Sequence, residues 1–133
     1  MTRYVPAFSN QKTVTTLIDS VTITASGNSV SNTLDMRNAL RLALSIACTY
    51  DGAATDGVTV YIYTNEVDEN WSTGTDASEL TSFQPKGPGA ITGNDTYKPV
   101  YIDPDANFMR IKVLNDDAAK TVSGVTVKAT VTT

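Results

Sequence analysis

An all-β fold, an antiparallel β-sandwich of about eight strands that is jelly-roll-like and forms a single domain, is what this sequence predicts. Three observations predict it. Threonine accounts for roughly one residue in six, and β-branched side chains, stiff at χ1, pack well on a pleated sheet. Strict period-two alternation recurs in four separate segments, which is the pattern of a half-buried strand. Clusters of Gly, Asn, Asp and Pro separate these segments, and short strands with one buried face each pack as two sheets face to face. A closed barrel is the alternative arrangement. A length of 133 residues suits one domain.

The elements follow in chain order. Residues 1–12 lack alternation, contain Pro6 and read as an extended N-terminal arm, which leaves 13–133 for the sandwich. Weaker strands are expected over Val14–Ile18, Val21–Thr24 and Val30–Met36, with Ala25-Ser-Gly-Asn28 as an intervening turn. From Leu40 to Cys48 the alternation is strict: Leu40, Leu42, Leu44, Ile46 and Cys48 share one face, and Arg41, Ala43, Ser45 and Ala47 share the other. Leucine and alanine also favour helix, but the period of two decides for strand. After the turn Asp51–Gly57, Val58, Val60 and Ile62 oppose Thr59, Tyr61 and Tyr63.

Two long loops come next. Glu66 to Glu79 is polar and carries the single tryptophan, Trp71, while Pro85 to Asp95 holds three of the eight glycines and two of the five prolines. Loops of this length in a compact domain usually serve a function. A strand over Lys98–Ile102 leads through the turn Asp103–Asn107 to Met109, Ile111 and Val113, opposed by Phe108, Arg110 and Lys112. Beyond the turn Asn115–Lys120, Val125, Val127, Ala129 and Val131 alternate with Thr126, Lys128 and Thr130. The expected core is Leu42, Leu44, Ile46, Val60, Ile62, Ile111, Val113 and Val127.

Composition excludes several function classes. Histidine is absent, which removes the commonest general base and metal ligand. The single Cys48 cannot form an internal disulfide or a thiolate cluster, and on the apolar face of its strand it reads as a small buried hydrophobe. A net charge of −4 and a pI near 4.6 argue against a nucleic-acid groove. No run approaches the roughly 20 apolar residues of a membrane span, and the first ten residues lack the apolar core of a signal peptide, so synthesis in the cytoplasm is expected.

Candidate sites are few. Asp68, Asn70, Ser72, Gly74, Asp76 and Glu79 fall at the ligand spacing of a calcium loop, which makes Asp68, Asn70, Ser72, Asp76 and Glu79 a candidate metal set. Thr73, however, occupies the position where that loop needs glycine, and the preceding segment is a strand, so no cofactor is expected. The pairs Asp51/Asp56 and Asp116/Asp117 have the residue types of an acid–base couple. They sit in turns, where aspartate bonds its own backbone, and no catalytic residue is assigned. Trp71, Tyr61, Tyr63, Tyr97 and Tyr101 offer flat rings suited to stacking a sugar or to a subunit contact. In the arm, Tyr4, Val5 and Phe8 are apolar anchors. Eleven extended residues span roughly 35 Å, enough to reach a neighbouring subunit. Tyr4, Val5, Phe8, Trp71, Tyr61 and Tyr63 are therefore the candidate interface residues.

The order of signals also carries a resemblance. Leu17-Ile-Asp-Ser-Val-Thr-Ile-Thr-Ala-Ser-Gly-Asn28, Leu34-Asp-Met-Arg37, the apolar strand Leu40–Ile46, Val58-Thr-Val-Tyr-Ile-Tyr63 and Phe108-Met-Arg-Ile-Lys-Val113 together resemble the small β-sandwich structural proteins of tailed bacteriophages. The resemblance covers about residues 13–133. It implies a non-enzymatic virion protein, foremost a capsid decoration or cement protein that stabilises the particle through subunit contacts. A neck or tail component and a carbohydrate-binding module for host recognition are the alternatives. It further implies the major capsid protein or other virion proteins as partners and a homo-oligomer, trimer or hexamer, with no nucleic acid or membrane partner.

Overall fold

The computed structural model describes residues 11–71, 78–83 and 98–133. All of its regular structure is strand: β1 (Lys12–Ile23), β2 (Asn28–Val30), β3 (Leu34–Asp35), β4 (Arg41–Tyr50), β5 (Val58–Asn65), β6 (Ser78–Phe83), β7 (Lys98–Ile102), β8 (Phe108–Asn115) and β9 (Val122–Thr132). One sheet has the order β1-β9-β4-β7 and the other β2-β8-β5-β6, with β3 also on β8. Every pairing is antiparallel. Counting β2 and β3 as two pieces of one position on β8, the chain changes sheet at every step but the β5–β6 pair, as in a jelly roll.

The core lies between the inner faces. Leu42, Leu44, Ile46, Val60, Ile111, Val113 and Val127 are all buried there, together with Met36, Met109 and Cys48. Ile62 is only half-buried and packs against the margin of the core. Leu40 departs from the expected face: β4 begins at Arg41, and Leu40 is 68% exposed on the rim. Its N–H donates to the Thr132 carbonyl (2.7 Å), but it precedes the strand, so alternation no longer dictates its direction.

Other departures have local causes. The segments expected as Val14–Ile18 and Val21–Thr24 are one strand, because register shifts carry β1 through Ser20 at φ 50° without leaving β9. A second shift lies between Ala47 and Thr49 on β4, opposite Gly124 at φ 59°. The Thr126 hydroxyl joins the two irregularities, accepting the Ser20 N–H and donating to the Gly124 carbonyl. Such bulges sharpen strand twist, which curls the twelve-residue β1 along the sheet. The expected strand Val30–Met36 is broken into β2 and β3, where buried Ser31 takes over: its N–H donates to the Ile111 carbonyl and its Oγ accepts the Ile111 N–H. Strand β6 was not expected. It pairs β5 from Val58↔Phe83 to Ile62↔Ser78.

At one end of the sandwich the described connections are tied together by three consecutive residues, the last of β8 and the two that follow it. The buried Asn115 side chain shares its two N–H groups among the carbonyls of Ile23, Thr24 and Lys120 (2.8–3.3 Å), and its Oδ1 accepts the Asp117 N–H. Asp116 accepts the Thr59 hydroxyl at 2.6 Å, which explains why Thr59 is buried on a nominally outward face. The Asp117 carboxylate accepts four backbone N–H groups, from Thr55, Asp56, Ala119 and Lys120 (2.8–3.2 Å). These bonds, Ala119's foremost, hold its carboxyl well below the usual carboxylate range.

Two measurements test this account. Leu44→Ala should cost roughly 2–5 kcal/mol through lost transfer energy and the cavity left behind, seen as a lower midpoint in chemical denaturation. Because the Asp117 value is depressed on folding, its stabilising contribution is complete above about 3.8 and is lost as pH falls through the folded value. Asp117→Asn should therefore lower Tm at neutral pH and flatten the decline of Tm in acid. Unchanged pH dependence would show that other carboxylates dominate.

Candidate functional site

The outward face of the β2-β8-β5-β6 sheet is built from cations set against aromatic rings. Alternation along β8 turns Phe108, Arg110 and Lys112 outward, and the register with β5 places Arg110 beside Tyr63 and Lys112 beside Tyr61. The Lys112 ammonium lies 4.9 Å from the Tyr61 ring centre and 5.8 Å from that of Tyr63. The Arg110 guanidinium lies 4.8 Å from the Trp71 ring, and Arg37 lies 5.2 Å from Phe108. A cation over a ring face is attracted by the ring quadrupole. The two tyrosines are consequently enclosed: Tyr63 is buried and Tyr61 half-buried.

Asp68 organises the loop that follows β5. One carboxylate oxygen accepts both the Trp71 indole N–H (3.0 Å) and the Thr33 hydroxyl (2.8 Å), while Arg110 Nε donates to the Thr33 oxygen (3.0 Å). The carboxyl is held below its ordinary value by the Trp71 bond first, then by Thr33 and the charge of Arg110. Asn70 adopts φ 55°, Asn65 donates to the Glu69 carbonyl, and Asn107 donates to the Glu66 carbonyl. Nearby, Arg37 forms a two-pronged ion pair with Asp35 (2.7–3.2 Å), which lowers the Asp35 carboxyl to about 2.

Of the proposed calcium ligands, Asp68 and Asn70 lie in this loop, and exposed Glu79 lies on β6 opposite Tyr61. Ser72 and Asp76 fall outside the described residues, as do Tyr4, Val5, Phe8, Tyr97 and the Gly/Pro loop. Among the described residues no group of three or more His, Cys, Asp or Glu is placed to hold a metal ion. Residue periodicity alone did not single out Thr33, Arg37, Arg110 or Lys112. Period two put Arg110 and Lys112 on the outer face, but their partners depend on cross-strand register.

The other outward face, on β1-β9-β4-β7, is smooth. Its central row is Tyr101, Ala43, Thr130 and Val14, flanked by Arg41, Thr132 and Lys12 on one side and by Ser45, Lys128 and Thr16 on the other. Short neighbours leave Tyr101 standing clear at 81% exposure, and Val14 is also exposed. Two open depressions share Arg41, Leu42 and Tyr101 in their linings.

The Asp68 arrangement yields an optical prediction, since Trp71 is the sole tryptophan. Asp68→Ala should shift Trp71 emission to the red as the indole loses its acceptor and its docking on Arg110. In the unaltered protein the same shift should occur only below the ordinary carboxylate range, because the folded value is depressed. An emission maximum indifferent to the substitution would refute the linkage.

No family model and no curated protein sequence matches the chain. Solved structures do. A chain from the structure of infectious bursal disease virus, Gt strain, is similar over 99% of this chain with a TM-score of 0.58 and 9% identity, covering 37% of the viral chain. A chain from the Gx strain is similar over 92% of this chain, with a TM-score of 0.57 and 11% identity, covering 32% of that chain. Dimeric latent PorU from Porphyromonas gingivalis is similar over 92% of this chain and 13% of its own, with a TM-score of 0.52 and 8% identity. This chain thus spans about a third of the length of the viral chains. At such identities the likeness lies in the fold.

Proposed function

We propose that the protein is a non-enzymatic structural subunit of a virus particle, and more narrowly a tailed-phage capsid decoration protein that stabilises the shell through subunit contacts. One observation carries the reading: the fold is a jelly roll, and the similarity to a chain of a virus structure covers 99% of this chain. The disposition of the polar groups supports it. The carboxylates of Asp35, Asp68, Asp116 and Asp117 are engaged in holding loops and turns, so the chemistry they contribute is architectural. The exposed Tyr101 and Val14 on the β1-β9-β4-β7 face supply apolar surface of the kind that a protein contact covers.

A carbohydrate-binding module remains the competing reading, and exposed Tyr101 is the feature that favours it. Two measurements separate them. Mass spectrometry of purified particles should find the chain in stoichiometric amount, and particles deprived of it should lose resistance to heat and regain it when the protein is added back. A glycan array should show no binding. Absence from particles would overturn the structural reading, and glycan binding abolished by Tyr101→Ala would put the carbohydrate reading in its place.

A further inference from the structure

We infer that this protein self-associates head to tail, the acidic loop at Glu66–Glu69 of one copy seating against the Arg41–Tyr101 depression of the next. The inference deepens the structural-subunit reading by naming the partner as a second copy and the two surfaces that meet.

Charge complementarity argues for this occupant. The chain carries −4 overall, yet the described part of the smooth face presents Lys12, Arg41 and Lys128, all exposed and none in an ion pair with a described residue. Asp103 is the one acid among the residues that line the two depressions. The loop after β5 has the opposite character: Glu66, Asp68 and Glu69 are exposed around Val67, itself 49% exposed. An apolar tip ringed by carboxylates matches the exposed apolar side chains of Leu40 and Tyr101 beside a guanidinium. Complementary potentials of this kind set register and speed association.

Topology makes the match geometrically consistent. Strand β4 starts at Arg41 and β5 ends at Asn65, so the depression and the acidic loop lie at the same end of the sandwich. The Met36 N–H bond to the Asn107 carbonyl and the Asn107 bond to Glu66 join the loops there. The two surfaces are carried by different sheets. Contact between two different patches is heterologous, and closes as a ring or runs on as a filament. Loop 66–69 is held by Asp68, Asn65 and Asn107, so its shape is set before the partner arrives.

The test is sedimentation equilibrium on the full-length protein. The unaltered chain should show a mass above twice 14.2 kDa that falls as salt is raised, because screening shortens the reach of exposed charges. Arg41→Glu and Glu69→Lys should each reduce the mass to that of one chain, with circular dichroism unchanged. The double variant should restore it. A monomer or a closed dimer at low salt, a salt-indifferent mass, or a double variant no better than the single ones would overturn the inference. Incorporation into particles by a chain that is monomeric in solution would overturn this pairing and leave the structural-subunit reading standing.

Discussion

The hydrogen-bond cluster of Asn115, Asp116 and Asp117 is the constraint on which the rest of the sandwich depends. Among the described residues, three connections pass between the sheets at that end: β1 to β2, β4 to β5, and β8 to β9. Each is bound by one of these side chains or its backbone, through Thr24, Ser26 and Gly27, through Thr55, Asp56 and Gly57, and through Ala119 and Lys120. Hydrophobic burial draws two sheets together without choosing how they are laterally placed, since it is non-directional. Directional bonds to three crossing chains supply that choice. Among the described residues no buried side-chain polar atom lacks a partner, so the cluster carries no penalty of unmet donors or acceptors.

The opposite end is organised differently. Its loops meet through exposed side chains: Thr33 with Asp68, Asn107 with Glu66, Arg37 with Asp35. Exposed pairs contribute little to stability, typically about 1 kcal/mol or less. Their worth here is positional, since they hold charged and aromatic groups in defined places at the surface. One end thus secures the fold while the other displays side chains, a division common where loops on a rigid scaffold carry function.

Legibility in the sequence followed the range of the interactions. Alternation identified β4, β5, β8 and β9 and the phase of their core residues, because period two is local and survives without knowledge of neighbours. Thr59 and Tyr63 look outward by the same rule, yet both are buried, one by a bond to Asp116 and the other beneath Lys112. Those partners lie about fifty residues away in sequence. Asp117 was legible as a turn former and does bond the nearby Ala119 and Lys120, but its bonds to Thr55 and Asp56 cannot be read without the fold. Strand β6 was masked by polar composition: Ser78, Glu79, Thr81 and Ser82 offer little alternation, and the edge of a sheet demands little.

The place of β9 has a kinetic consequence. It lies between β1 and β4 and pairs both along most of its length, so the first and last of the described strands are hydrogen-bonded partners. On the ribosome, β1 has no neighbour in its own sheet until β9 emerges, whereas β5 and β6 can form a hairpin early. Partnerships between distant segments incur loop-closure entropy before any contact rewards them, which places all-β chains among the slower folders, at milliseconds to seconds. Completion of the four-stranded sheet is therefore the late step of folding, and until then β1 and β4 each offer an open edge to any other strand nearby.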